Sequence, residues 1–199
     1  MGPALRCDAS SKELPEMSHD LKTALSRSDL LFDRETLEAG IGRIATEIDE
    51  AYAAQAGERP LLLTVMHGGL PFAARLAMAM KTDLQFDYLH ATRYRGATQG
   101  SGLEWRHRPA TALEGRRVLV ADDILDEGHT LKAILGWCEE QGAAEVRVAV
   151  MALKRHDRRV AGVEAQHVAV EVPDRYVFGY GMDYYEQGRN LPGIYALKD

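Results

Sequence analysis

Cysteine is scarce. The two residues, Cys7 and Cys138, stand far apart in a chain of 199, with no CxxC pair and no histidine at zinc-finger distance. That excludes a disulfide framework and offers no metal-binding spacing; two free thiols fit a reducing compartment. Long apolar runs are missing too. The longest, Leu61 to Met66, is far too short to cross a bilayer. The stretch from Met1 to Asp20 has no apolar core of the kind that directs export, so a cytoplasmic address is expected. Basic charge is in deficit: 24 Lys plus Arg against 30 Asp plus Glu give a net charge of −6. Nucleic-acid binding runs on clustered Lys and Arg, so this balance argues against DNA or RNA as a partner. No internal repeat, low-complexity tract or linker divides the chain, and its length fits one domain. A content of 46% hydrophobic and 27% charged residues excludes disordered, collagen-like and coiled-coil classes.

What is present alternates between strand and helix signals. The N-terminal residues carry Gly2, Pro3, Ser10, Ser11 and Pro15 without a sustained period and read as a loose leader or arm to about residue 25. From Asp33, a candidate N-cap, Leu37, Ile41, Ile44, Ile48 and Tyr52 recur at helical spacing, with Gly57 and Pro60 as stop signals. Leu61 to Val65 is a short apolar run bounded by Pro60 and by Gly68–Gly69, which predicts a buried strand. Pro71 suits a helix N1 position, with Phe72 to Met80 as the helix body. Leu84, Phe86, Tyr88 and His90 alternate with polar residues and predict a half-buried or edge strand. From Arg93 to Thr111 glycines and Pro109 interrupt every period, the pattern of a functional lid, with a hairpin as the main alternative. Val118–Ala121, Val146–Val150 and His167–Val172 predict further strands, with a helix over Thr130–Gln141 ending at Gly142. Strands alternating with helices make an α/β fold with a mainly parallel sheet.

The most informative window runs Val118-Leu-Val-Ala-Asp-Asp-Ile-Leu-Asp-Glu-Gly-His-Thr-Leu131. A buried strand leads into adjacent carboxylates, Asp122 and Asp123, then a loop with Asp126 and Gly128, then a helix near Thr130. Ligands of open α/β sheets bind beyond the carboxyl ends of strands, and the unpaired N–H groups at a helix start favour an anion. The turn Glu127-Gly128-His129-Thr130 is therefore a candidate phosphate cradle. The acid pair suits ribose hydroxyls or a bridging magnesium ion. Taken alone, DDxxD also reads as an acidic strand end capping a helix.

The whole segment resembles the phosphoribosyl pyrophosphate (PRPP) motif of type I phosphoribosyltransferases. Ala152-Leu-Lys154, then Val172-Pro-Asp-Arg-Tyr-Val-Phe-Gly-Tyr-Gly-Met-Asp183-Tyr, then Arg189, are similar to the hypoxanthine-guanine phosphoribosyltransferases. With His67-Gly68-Gly69 the likeness extends from about Leu61 to the C-terminus, in order throughout. It implies a mainly parallel central sheet flanked by helices, a small hood over about 173–199, and a flexible lid over about 93–111, within one domain over 26–199. It also implies transfer of phosphoribose from PRPP to a 6-oxopurine (hypoxanthine or guanine), a Mg²⁺ requirement, and a homodimer or homotetramer.

Carried over by position, Asp122 and Asp123 would hold the ribose hydroxyls. Asp126 would be the general base near purine N7, although an ordinary Asp, with a pKa near 3.9, is a weak one at neutral pH. Residues Asp126, Glu127, Gly128, His129 and Thr130 would bind the 5′-phosphate. Lys154 would donate to purine O6, a donor that mismatches adenine's amino group. From spacing alone Lys154 reads instead as a solvated member of the basic run Lys154–Arg159. Tyr176 would stack on the purine and the Val177 backbone meet its edge, while Phe178, Tyr180, Tyr184 and Tyr185 read as packing residues. Asp183 would help place Mg²⁺, with Asp122 and Asp123 as further candidates. His67, Gly68, Gly69 and Arg189 would contact pyrophosphate, with a cis bond before His67. Arg93 and Tyr94 would open the lid.

The chain departs from the family pattern in four places. His67 stands where Lys is frequent, and Asp122–Asp123 replaces Glu-Asp. Glu127 stands where Ser or Thr is usual, and Arg93 replaces Ser before Tyr94. Two alternatives stay open. One is a nucleotide-sensing or RNA-binding regulator on the same fold, using Lys154–Arg159 and Arg116–Arg117 as a basic patch; the other is a xanthine-preferring transferase.

Overall fold

The structure, a computed structural model, describes residues 20–53, 59–93 and 103–198, with Arg93 and Leu103 described by their backbone only. Cys7, the first part of the leader, and the middle of the lid with Tyr94 lie outside the described residues.

The described chain begins with α1 (Leu21–Ser26), where the Asp20 carboxylate accepts the Thr23 N–H at 2.9 Å. Residues 21–25 are thus not the loose arm that the sequence suggests. Ala24 clusters with buried Phe178 and Tyr184, and that burial outweighs the weak local signal. β1 (Ser28–Phe32) follows, then α2 (Arg34–Ala53), whose first turn is closed by Asp33 accepting the Thr36 N–H at 2.9 Å. Leu37, Ile41, Ile44, Ile48 and Tyr52 are buried as their spacing predicts. Each large apolar side chain removed from water there contributes about 1.5–3 kcal/mol relative to exposure.

β2 (Leu61–Val65), buried throughout, leads to α3 (Gly69–Ala79), and β3 (Gln85–Arg93) to β4 (Leu103–His107). Pro71 lies inside the first turn of α3 and not at N1, because the helix starts at Gly69. β5 (Arg117–Leu125), α4 (His129–Glu140), β6 (Glu145–Lys154) and β7 (His167–Val172) complete the α/β part. The sheet order is β4-β3-β2-β5-β6-β7, parallel except for the β3–β4 pair. That antiparallel pair settles the described ends of the lid as a hairpin, the alternative reading of the sequence.

The core has two sides because strand residues alternate faces. Leu62 and Leu119 pack under α2 and α3 with Ile44 and Phe72. Leu61, Leu63, Val118 and Val120 pack under α4 with Ile134 and Cys138. β3 presents the face opposite to the one expected. Leu89 and Ala91 are buried, whereas Phe86 is 63% exposed.

A second sheet, β1-β9-β8, joins β1 to β8 (Val177–Phe178) and β9 (Ile194–Leu197). β9 is its centre, antiparallel to both neighbours. Arg175 ties the start of this hood to its end: its guanidinium donates to Leu197 O and pairs with Asp29 at 2.8 Å.

Candidate active site

The last ladder partner of β2 on β5 is Ala121, opposite Thr64, whereas β5 continues beside β6 to Leu125. Asp122 and Asp123 therefore lie within the strand, at the point where it loses one neighbour, and not beyond its end. The vacated side is taken by the His67-Gly68-Gly69 turn, which follows a cis Met66–His67 bond. Gly68 is what lets it approach: a Cβ there would run into Asp123 Oδ2. Gly181 of the hood packs onto the same turn at a φ of 105°, and its Cβ would strike the Gly68 carbonyl oxygen.

Such close packing strips water from the acid pair. Burial, and then the charge of Asp123, hold the Asp122 carboxyl well above the ordinary carboxylate range; burial raises Asp123 as well. The Asp123 N–H donates to Asp122 Oδ1 at 2.9 Å.

Beyond the pair, Gly128 takes a left-handed conformation with φ 84° and caps α4. The first helical bond runs from Lys132 N–H to Gly128 O, so the amides of His129, Thr130 and Leu131 face out of the helix start. They line a cavity of about 450 Å³ bounded by residues 122–131. The Glu127 carboxylate lies 3.6 Å from His129 Nε2 at its exposed rim.

A second cavity, of about 260 Å³, shares Asp123, Ile124 and Asp126 with the first. Its other walls include Lys154, Tyr176, Val177 and Asp183. Lys154 is only 13% exposed, and its ammonium donates to Asp126 Oδ2 at 2.6 Å, so it is not the solvated lysine that spacing alone suggests. The other oxygen, Oδ1, meets His156 Nε2 at 2.7 Å. Burial by itself would raise the Asp126 carboxyl, but the hydrogen bonds from Lys154 and His156 hold it below the usual range. Tyr176 is 47% exposed, with its hydroxyl donating to Asp183 O at 3.3 Å and its ring edge-on to Tyr184. Tyr185, read from sequence as packing, is exposed.

At the far end Arg189 pairs with Asp183 Oδ1 at 2.8 Å and donates to Gly181 O at 2.9 Å. Asp183 Oδ2 accepts the Glu186 N–H at 2.9 Å. The rings of His67 and His90 meet edge to face at 4.4 Å. Burial, then the nearby charges of His67, Arg106 and Arg189, push the His90 pKa down. Of the lid pair, only the Arg93 backbone is described.

The basic run is not a free patch. Arg155 pairs with Glu171, Arg158 with Asp174 at 2.7 Å, and Arg159 donates to Lys154 O at 3.0 Å. Arg116 is buried, donating to Arg59 O and Gln85 Oε1.

Sequence reasoning passed over His156, Ile124 and Met182. The available signal was that residues 154 and 156 alternate at a strand end, which can aim both side chains one way.

The phosphoribosyl transferase domain model matches residues 28–187. The chain belongs to the phosphoribosyltransferase family. Among curated relatives, the hypoxanthine-guanine phosphoribosyltransferase of Streptococcus pneumoniae is 33% identical over 92% of this chain and 97% of its own. That of Bacillus subtilis is 32% identical over 92% and 96%. Among solved structures, a Staphylococcus aureus hypoxanthine phosphoribosyltransferase superposes with a TM-score of 0.77 at 28% identity, covering 85% of this chain and 91% of that one. The Trypanosoma cruzi hypoxanthine phosphoribosyl transferase gives 0.80 at 25% identity, over 85% and 91%.

A phosphoribosyltransferase of this kind works with a divalent metal, and carboxylates suited to one stand here without forming a closed cage. Among the described residues no three His, Cys, Asp or Glu side chains are grouped to cage an ion. Desolvated Asp122 and Asp123, with Asp183, supply hard oxygen donors of the type such an ion takes. No helix of the described residues is long and apolar enough to cross a membrane.

Proposed function

We propose that the enzyme transfers the phosphoribosyl group of PRPP to hypoxanthine or guanine, forming IMP or GMP and pyrophosphate in purine salvage. The observation that carries this reading is the shared wall of the two cavities. An anion-binding helix start lies on one side of Asp126, and a donor–aromatic pair, Lys154 and Tyr176, on the other. That is the layout needed to bring a phosphorylated sugar and a flat base to one point.

In this reading the amides of residues 126–130 and the Thr130 hydroxyl hold the 5′-phosphate, and Asp122 and Asp123 accept from the ribose hydroxyls. The C1–O bond breaks with its electron pair going to pyrophosphate, and a purine ring nitrogen forms the new bond to C1. The proton released from the purine passes to Asp126. Lys154 donates to O6, Tyr176 covers the ring, and the Val177 backbone meets its edge. His67, Gly68, Gly69 and Arg189 receive pyrophosphate, with the lid expected over about 93–111, which starts at Arg93 and Tyr94, closing over it. Mg²⁺, held by Asp183 with Asp122 and Asp123 as further ligands, would neutralise charge on the leaving group. We further place the enzyme in the cytoplasm as a homodimer or homotetramer, from the family likeness.

Nucleotide formation from hypoxanthine, guanine, xanthine and adenine, with PRPP and with or without Mg²⁺, tests the proposal. Product from hypoxanthine or guanine but not adenine, and only with Mg²⁺, is expected. Fastest turnover of xanthine would assign a different base, and no product from any base despite PRPP binding would favour a nucleotide sensor.

A further inference from the structure

The turn after β6 carries a buried histidine whose two ring nitrogens have different tasks. His156 is 2% exposed at its side chain, and its Nδ1 accepts the Arg158 backbone N–H at 3.0 Å. A nitrogen accepting that bond carries no proton, so the neutral ring holds its proton on Nε2. Nε2 faces Asp126 Oδ1 at 2.7 Å and is therefore the donor. The backbone thus chooses the tautomer that Asp126 needs.

The surrounding turn is fixed independently of Asp126. Arg158 is bound by both oxygens of Asp174, Arg155 by Glu171, and Val160 N–H reaches back to Glu127 O at 2.9 Å. His156 is consequently a rigid support, whereas Lys154 is a four-carbon stem free to turn its ammonium. Asp126 is held by one partner of each kind.

We infer that His156 is a positioning residue that fixes Asp126 through Oδ1 while Lys154 leaves Oδ2 to bind the purine. This inference rests on the proposed function, which assigns Lys154 to O6 and Asp126 to the purine proton. Without His156, Asp126 loses both partners when the base arrives and its free oxygen is no longer aimed. With it, Oδ2 is released in place, and the carboxylate becomes a better proton acceptor at that moment because a cationic donor has gone.

The test uses the full-length enzyme and two complementary substitutions. In His156→Gln the side-chain amide nitrogen stands near the Nε2 position and can still donate to Asp126, but the acceptor for Arg158 N–H is lost. In His156→Asn the amide oxygen stands near Nδ1 and keeps the Arg158 contact, but nothing reaches Asp126. His156→Ala and His156→Asn are expected to lower kcat by about tenfold to a hundredfold, the scale for a misplaced reacting group, with KM for PRPP unchanged. His156→Gln should recover most of the loss. Adding His156→Ala to Asp126→Ala should change kcat no further. In the wild type, ¹⁵N NMR of the ring should show the Nε2–H tautomer.

Recovery by Asn instead of Gln would make His156 a support of the turn only and overturn the inference. So would an Nδ1–H tautomer, or an unchanged kcat in His156→Ala. If the wild type turned over no 6-oxopurine, the proposed function would fail first, while the tautomer measurement would still judge the histidine geometry separately.

Discussion

Asp126 meets the second cavity as a carboxylate because two donors outweigh its burial, which in the proposed mechanism makes it a poor base until one of them moves. Asp126→Ala should lower kcat by about 10²–10⁴-fold, the usual contribution of a general base, while PRPP binding is largely kept. Steady-state kinetics with each substrate varied separate the two, and an unaltered kcat would remove Asp126 from the chemistry. A second residue-scale prediction concerns His167. Both of its ring nitrogens are buried without a hydrogen-bond partner, and Glu47 Oε2 is 3.6 Å from Nδ1. Burial lowers its pKa, opposed by Glu47 and reinforced by Arg147. The unfolded chain then binds a proton more readily than the folded one, so stability is full above about pH 6.5 and falls as acid titrates the unfolded histidine. Melting curves between about pH 7.5 and about pH 5.5 should show this loss in the wild type and a flatter dependence in His167→Leu. At this scale the sequence was legible where residues act in a contiguous block: Asp122, Asp123 and Asp126 with Gly128 fall within one strand and turn. His156 was hidden inside a run of cations, and only the fold reveals that Asp126 faces it.

Elements were legible in proportion to their length. α2 announces itself through five buried apolar residues, and β2 through an unbroken apolar run. β1 and β8 do not, since five and two residues carry too little period and their partners are remote in sequence. The face of β3 was misjudged because Phe86 and Tyr88 are larger than Leu89 and Ala91, yet the strand's register on β2 buries the smaller pair. The element on which the site depends most is the contact between the Gly68 turn and the hood. Gly181→Ala forces a left-handed alanine, at about 1–2 kcal/mol, before its clash with Gly68 O is counted. The melting temperature should fall by at least about 2–4 °C per kcal/mol lost, and pyrophosphate affinity should fall with it. A fully stable Gly181→Ala protein would show that the hood docks elsewhere.

The whole molecule carries −6, and the cations of its most basic run are engaged by neighbouring carboxylates and a carbonyl. An RNA-binding regulator needs such cations available to phosphate. The protein should therefore show no retention on single-stranded RNA that weakens between about 50 mM and about 200 mM salt. Strong, salt-sensitive retention would revive the regulatory alternative.

The hood sheet places β9 at its centre, between a strand from the beginning of the described chain and one that lines the second cavity. During synthesis on a ribosome, the larger sheet from β2 to β7 is therefore finished while the smaller one still lacks its middle strand. Asp122 to Thr130 are in place by then, but Tyr176 and Val177 have no β9 to pair with, and Arg175 has no Leu197 to hold. A chain made only through β8 would lack the strand that pairs with Val177 and Phe178, so in the proposed mechanism the wall that would take the base is completed only after β9 has emerged.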